Sequence, residues 1–255
     1  MNISIEQLAP RLLVGRVALV TGAGQGNGRS IAIGLAAAGA KVIVTDIDGA
    51  NAERVALEIR AQGGTATHHA LDVTRGDACQ ALAEQVGAID ILVNNAGIII
   101  REGLDSPKAA GNLARTLDVN VMGTYFPIQA WLAGLRQTHG SIINVGSIAS
   151  STGIPGSLGY SPSKGAVKLL TQALAVELAK DGIRVNAIAP GVIETPMTAA
   201  TRDAPEKLER FMARTPMARV GQPEELIGPV VFLASSMASY VTGVTLPVDG
   251  GFLAA

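Results

Sequence analysis

Tyr160 and Lys164 stand four residues apart, the spacing that puts two side chains on one face of a helix. A free phenol has a pKa near 10, poorly matched to proton transfer at neutral pH. An ammonium beside it stabilises the phenolate; a shift of roughly 2 to 3 units corresponds to about 3 to 4 kcal/mol, within reach of charges a few ångströms apart in a partly dry cleft. Tyr160 would then serve as a general acid–base near pH 7. Ser147 follows the apolar run Ser141 to Val145 and would hydrogen-bond a reacting oxygen. Asn120 would hold Lys164 through a water. Each residue also has a plainer reading. A tyrosine and a lysine at this spacing also occur on ordinary exposed helices. An asparagine in an otherwise apolar helix (Val119, Val121, Tyr125) is usually a satisfied interior amide.

These groups need a sheet whose strands end side by side, and the first third of the chain supplies its nucleus. A strand over Val17 to Val20 runs into a glycine-rich turn. A helix follows, with Ile31, Ala32, Leu35 and Ala36 on one side, and then a strand over Val42 to Thr45 that ends on Asp46. Strand, glycine turn, helix, strand and acid make a dinucleotide-binding unit. Gly22, Gly26 and Gly28 fall at GxxxGxG spacing with Gly24 between them. Glycine lets the backbone turn tightly and approach a pyrophosphate closely. The helix starting near Gly26 aims its free N–H groups and positive dipole end there. Asp46 would accept hydrogen bonds from both hydroxyls of the adenosine ribose, whereas a 2′-phosphate would meet a like charge. No Arg or Lys at Gln25 or Ile47 reverses that preference, so NAD is expected rather than NADP. The stricter GxGxxG pattern fails, because Asn27 stands where its last glycine would fall. A cationic nicotinamide near Tyr160 would add to the effect of Lys164.

Further strands extend the same edge. A third, Thr65 to Leu71, is followed by Asp72 and Val73, where an adenine ring could be lined. Asp72 could equally cap the next helix. A fourth, Ile89 to Val93, ends in Asn94-Asn95-Ala96-Gly97. Small and amide residues suit the C-terminal edge of an open α/β sheet, where ligands bind. A loop over Ile98 to Lys108 near the substrate precedes one long helix from Ala110 to Arg136 that carries Asn120. A helix beginning near Ser157 carries Tyr160 and Lys164, with Pro162 tolerated in its first turn. A sixth strand, Arg184 to Ala189, ends at Pro190-Gly191, and Val192 to Val220 is expected to form a lid. Helix 223–235 and strand 244–248 finish the chain. The expected architecture is α/β: one doubly wound (Rossmann) domain over 15–255, with a parallel sheet of about seven strands covered by helices on both faces, after a lead-in over 1–14.

Composition excludes several classes. Formal net charge is −1 with no basic run, so nucleic acid is not an expected partner. Cys79 is the only cysteine, which precludes an internal disulfide and fits a reducing cytosol. The first residues lack the basic start and apolar core of a signal peptide. Leu226 to Val248 is uncharged and long enough to span a membrane, but Gly228, Pro229, a serine cluster and Gly243 break it. It reads as a buried helix, a turn and a final strand, with no membrane role. His68 and His69 have no carboxylate or cysteine at metal spacing, and no metal is expected. A cytoplasmic protein acting on a small molecule is the reading that remains.

Taken together, these residues resemble the short-chain dehydrogenase/reductase family in its compact, classical form. The likeness is carried by Thr21 to Gly28, Asp72, Asn94 to Gly97, Asn120, Ser147, Tyr160-Ser-Pro-Ser-Lys164, Pro190-Gly191 with Thr195, and Val248 to Gly251. Ser147 precedes Tyr160 by 13 residues, as in the family pattern. The resemblance implies a catalytic tetrad of Asn120, Ser147, Tyr160 and Lys164. It implies that Lys164 also touches the nicotinamide ribose and that Ile193 and Thr195 touch its amide. The expected NAD contacts are thus Gly22, Gln25, Gly26, Asn27 and Gly28 in the turn, Asp46 and Ile47, and Asp72 and Val73. Beyond the fourth strand they are Asn94, Ala96 and Gly97, then Tyr160 and Lys164, and finally Pro190, Gly191, Ile193 and Thr195. A homotetramer is implied, with the helices around 110–136 and 157–180 forming one interface. Two departures stand out: Asn27 replaces the usual Ile, and Pro162 the usual Ala.

The expected activity is NAD-dependent oxidation of a secondary alcohol to the ketone, the substrate being a polyol, sugar or small cyclic or aryl alcohol. Its pocket would be lined by Ile98 to Arg101, Ser147 to Gly153, Pro190 to Ile193 and part of the lid. A 3-oxoacyl-thioester reductase is the alternative. Such enzymes usually take NADPH and carry a basic residue in or near the glycine turn, against which Asp46 and Gln25 argue. A non-catalytic dinucleotide sensor on the same fold typically loses the Tyr or the Lys, and this chain keeps both.

Overall fold

The computed structural model describes residues 12–255, so most of the lead-in expected over 1–14 lies outside the described residues. Strands β1 (Val17–Val20), β2 (Lys41–Asp46), β3 (Thr65–Ala70), β4 (Ile91–Asn94), β5 (Ser141–Val145), β6 (Arg184–Pro190) and β7 (Thr245–Val248) form one sheet. Every pairing is parallel, in the order β3-β2-β1-β4-β5-β6-β7. The order reverses between β1 and β4, which opens a crevice at their C-terminal ends.

The five central strands, β2, β1, β4, β5 and β6, are mostly apolar and buried because both faces are covered, whereas the edge strand β3 (TATHHA) is polar and partly exposed. Helices α1 (Gly26–Ala37) and α2 (Gly49–Ala61) cover one face with α9 (Ile227–Ala234). On the other face lie α3 (Gly76–Val86), α5 (Gly123–Thr138) and α6 (Tyr160–Leu178). The strand period of two divides the core. Ala18 and Val20 join Ile31, Leu35, Val55 and Ile227, whereas Leu19 joins Leu92, Trp131, Leu135 and Val185 on the opposite side. At Gly34 a Cβ would stand 2.4 Å from Cγ2 of Ile227. A missing side chain thus lets α1 and α9 close on each other and fixes α1 behind the glycine turn.

The single helix expected over 110–136 is broken. Helix α4 (Ala109–Leu117) passes through one π turn, Asp118–Met122, before α5 begins. In that turn the Gly123 N–H reaches back to the Asp118 carbonyl. The wide turn carries Asn120, fully buried, whose side-chain bonds to neighbouring segments hold the helix in this strained form. Pro127, one turn on, has no N–H to give the Gly123 carbonyl.

The helix expected from about Ser157 starts at Tyr160, after a turn closed by the Tyr160 N–H on the Ser157 carbonyl. The lid segment contains two short helices, α7 (Ala199–Arg202) and α8 (Pro205–Met212). Leu226 to Val248 divides into α9, a 3-10 turn at Ser236–Ala238 and β7. Among the described residues no helix is long and apolar enough to cross a membrane.

Candidate active site

The glycine turn is stitched to the neighbouring strand. The Thr21 hydroxyl accepts the N–H groups of Asn95 and Ala96, each at 3.1 Å. Asn95 Nδ2 donates to the carbonyls of Thr21 at 3.0 Å and Gly22 at 2.9 Å. Gly22 and Gly26 adopt φ of +59° and +53°, the left-handed region that favours glycine. At Gly28 a Cβ would lie 2.3 Å from the Gly22 carbonyl and 2.4 Å from Asn95 Nδ2. The turn therefore lies flat on the end of β4, and α1 begins at the mouth of the β1–β4 crevice. Gln25, at its N-cap, makes no side-chain capping bond, which leaves first-turn N–H groups free to meet an anion. Asn27 is part-exposed, and its Oδ1 is buried without a hydrogen-bond partner.

Asp46 ends β2 against this turn. Its Oδ2 accepts the Gly24 N–H at 2.8 Å and its Oδ1 the Asp48 N–H at 3.0 Å. Gln25 and Ile47 are exposed beside it. Arg54, on α2, donates to the Gly24 carbonyl at 2.7 Å. The sequence reading missed Arg54, because nothing in its spacing links it to the turn.

Asp72 accepts both the N–H and the hydroxyl of Thr74, at 3.0 and 2.7 Å, and so holds the turn that leads into α3. The N-cap of that helix is Arg75, so Asp72 does not cap it directly. Val73 is buried, and a Cβ on Gly123 would come within 2.6 Å of its Cγ2. Asn94 turns inward and donates to Asn144 at 3.0 Å, which in turn donates to Thr171 at 2.9 Å. Asn95, absent from the expected contact set, is the residue whose side chain meets the glycine turn. Successive residues leaving a strand face opposite ways, and that alternation was the available signal.

Ala96 and Gly97 continue the edge. A Cβ on Gly22 would lie 2.8 Å from Cα of Ala96. A Cβ on Gly97 would lie 3.1 Å from Asn120 Oδ1 and 3.5 Å from Lys164 Nζ. These two residues thus flank Gly97 closely. Asn120 Oδ1 accepts the Ile98 N–H at 2.8 Å, and its Nδ2 donates to the Ile98 carbonyl at 3.0 Å and to Ser163 at 2.9 Å. Its direct partners are the loop after β4 and the residue before Lys164, rather than Lys164 itself.

Lys164, 5% exposed, donates to the Val145 carbonyl at 2.7 Å and lies 5.9 Å from the centroid of the Tyr160 ring. Ser147 follows β5 in extended conformation, its hydroxyl accepting the Ala149 N–H at 3.1 Å. The Ser147 hydroxyl is also close enough to the Tyr160 phenol to pull its pKa down. Ser147, Tyr160 and Lys164 are therefore brought together, with Asn120 bracing them from behind.

The electrostatics correct one expectation. The phenol of Tyr160 is raised above its ordinary pKa, because burial outweighs the nearby Ser147 hydroxyl and the positive charge of Arg101, both of which pull it down. Burial also lowers Lys164 to about 8. The lysine charge alone does not make the phenol acidic here.

Pro190 ends β6, and a Cβ on Gly191 would lie 2.9 Å from Cα of Asp249. Ile193 is buried and bridges to Gly221. Thr195 stands over the glycine turn: its Cγ2 would be 3.4 Å from a Cβ on Gly26. A cavity of about 330 Å³ separates Gly191 to Ile193 from Met212, Met217 and the C-terminal turn.

The fold and this edge define an oxidoreductase of the doubly wound α/β class. A family described as Enoyl-(Acyl carrier protein) reductase matches residues 22–253. The chain is 40% identical over 251 residues to L-rhamnose 1-dehydrogenase (NAD(P)(+)) of Azotobacter vinelandii, across 94% of this chain and 97% of that one. It is 39% identical over 247 residues to a 3-oxoacyl-(acyl-carrier-protein) reductase of Thermotoga maritima, across 94% and 99%. A gluconate 5-dehydrogenase from Burkholderia cenocepacia, solved with NADP and tartrate, superposes with a TM-score of 0.91 at 38% identity, covering 97% of this chain and 99% of that one. The chain belongs to the short-chain dehydrogenase/reductase family.

Proposed function

We propose that the chain is an NAD-dependent dehydrogenase that oxidises a secondary alcohol, of the polyol or sugar type, to the ketone. One observation carries this reading: Tyr160 begins α6 beside Ser147, with Lys164 one turn along, on the edge that also holds the glycine turn. A dinucleotide fits that turn. Gly28 has no room for a Cβ, and the first N–H groups of α1 have no side-chain cap. Gly22, Gly26 and Gly28 would hold its pyrophosphate, Asp46 its adenosine ribose, and Ile193 and Thr195 its nicotinamide end. Bound there, the dinucleotide supplies the hydride acceptor.

The chain's own residues manage the proton. Ser147 holds the substrate hydroxyl, and Tyr160 takes its proton. The positive charge of Arg101 favours the phenolate that does so. Asn120 keeps the Ile98 loop and α6 in register.

The relatives do not choose between NAD and NADP, since one is named for both and another was solved with NADP. The preference for NAD rests on Asp46, whose charge opposes a 2′-phosphate, and on the uncharged Gln25 and Ile47 beside it. The same argument disfavours the acyl-thioester reductase reading, although such a relative is 39% identical. Exposed Leu169 and Val176, seven residues apart on α6, support assembly into the homotetramer.

A screen of secondary alcohols with each dinucleotide, followed by the absorbance of the reduced cofactor, tests the reading. The expected result is turnover with NAD at a kcat/KM at least about tenfold above that with NADP. Fast reduction of a 3-oxoacyl thioester with NADPH and none with NADH would replace this function with the other.

A further inference from the structure

We propose that the side chain of Asn27 is itself a dinucleotide-binding group, its Nδ2 donating a hydrogen bond to the pyrophosphate. The inference rests on the dinucleotide reading and goes beyond it, because the isoleucine usual at this position has only a backbone N–H to give.

Asn27 lies between Gly26 and Gly28 in the first turn of α1. The hydrogen-bond ladder of that helix starts at Arg29, whose N–H reaches the Gln25 carbonyl at 3.2 Å. The N–H groups of residues 26–28 come before it and have no acceptor in the helix. Each of the other asparagines among the described residues has a side-chain hydrogen bond: Asn51, Asn94, Asn95, Asn112, Asn120, Asn144 and Asn186. The Asn27 amide is the exception. Its Oδ1 is buried without a partner, and its Nδ2, equally unbonded, is not buried. A buried oxygen with no donor destabilises the fold that holds it. An amide kept at that cost, with its donor end open, is placed for an acceptor from outside the chain.

The neighbours decide which acceptor. On one side of the turn Asp46, assigned above to the adenosine ribose, holds the Gly24 N–H at 2.8 Å. On the other side Thr195, assigned to the nicotinamide end, puts Cγ2 3.4 Å from a Cβ on Gly26. Asn27 is next to Gly26, between the two ends, where the pyrophosphate belongs. The cations close to the turn are engaged: Arg29 pairs with Glu58, and Arg54 donates to the Gly24 carbonyl at 2.7 Å. Ser30, farther along α1, donates to Glu224 at 3.2 Å. A pyrophosphate here is therefore met by neutral donors, the free N–H groups and the Asn27 amide. Nδ2 can only donate, and hydrogen bonds to a charged oxygen are the strong ones. The pyrophosphate oxygens are the charged acceptors that NAD presents.

The test uses the full chain as wild type, Asn27→Ile and Asn27→Ala. Affinity for NADH is read by its fluorescence, and affinities for ADP-ribose and AMP by displacement of NADH. Urea midpoints are measured on the ligand-free proteins. Both variants should bind NADH and ADP-ribose roughly 10- to 100-fold more weakly, the range of a charge-assisted hydrogen bond, and AMP as wild type does. Asn27→Ile, which removes the unpaired oxygen and fills its space, should raise the urea midpoint while it weakens NADH binding. A merely structural asparagine would move midpoint and affinity in the same direction. Undiminished NADH affinity in both variants would overturn the assignment. So would a loss shared by AMP, or a loss for NADH that ADP-ribose does not show, which would put the contact on the nicotinamide. If Asn27→Ile does not fold, Asn27→Ala carries the same comparison of the three ligands. Failure of the dinucleotide reading shows separately, as wild type that binds neither NADH nor ADP-ribose.

Discussion

Replacing Lys164 with methionine should remove activity and yet leave the fold at least as stable at neutral pH. Lys164 is 5% exposed and titrates at about 8, against 10.5 for the free side chain. At pH 7 the charged amine is therefore held in the interior at a penalty of about 3 kcal/mol. Methionine fills similar space without charge. It deprives the Val145 carbonyl of its 2.7 Å donor, a loss of about 1–3 kcal/mol. The two effects nearly cancel at pH 7, with a net of roughly 0 to 2 kcal/mol in favour of the variant. The pH dependence is sharper. Between the folded and free pKa values the unfolded chain holds a proton that the folded chain has released, so the stability of wild type rises with pH. The wild-type minus Lys164→Met difference should climb by about 2 kcal/mol between pH 7 and 9.5. Urea unfolding of the ligand-free proteins across that range measures it, and residues common to both cancel. A flat or falling difference would refute the claim that burial, rather than a compensating anion, sets the lysine's proton affinity.

Other perturbations probe the remaining parts. Tyr160→Phe should cut kcat by roughly 10²- to 10⁴-fold while NADH binding, read by fluorescence, stays unchanged; turnover that survives would remove the phenol from the mechanism. Gly28→Ala forces a methyl to 2.3 Å from the Gly22 carbonyl, so the turn must shift, and NADH affinity should drop at least about tenfold. Asp46→Ser should lower kcat/KM for NAD by roughly tenfold and raise it for NADP; an unchanged ratio of the two cofactors would dissociate Asp46 from their choice. Asn120→Ala removes three side-chain hydrogen bonds and should lower unfolding free energy by about 2–4 kcal/mol, seen in the denaturant midpoint.

The seven-stranded sheet was legible because buried parallel strands read as short apolar runs, and each expected run lies within two residues of the observed strand at either end. The meeting of Ser147, Tyr160 and Lys164 was legible too, since a strand end and a helical repeat of four fix where such side chains point. What escaped was whatever depends on contacts between distant segments. Asn120 alters the helix that carries it only because Ile98 and Ser163 compete for its amide. Asn95, rather than Asn94, reaches the glycine turn because of where β4 stops, at a resolution of one residue. The phenol's raised pKa follows from its surroundings in three dimensions, which the spacing of two residues does not encode.

The π turn at Asp118–Met122 has one more consequence. Deleting a single residue there would convert α4 and α5 into one regular rod, a change that local helix energetics would favour. It would also remove the wide turn that aims the buried amide at its three partners, loosening the platform under the proton-transfer groups. Here an irregular coil is the functional form, and straightening it would be the damaging mutation.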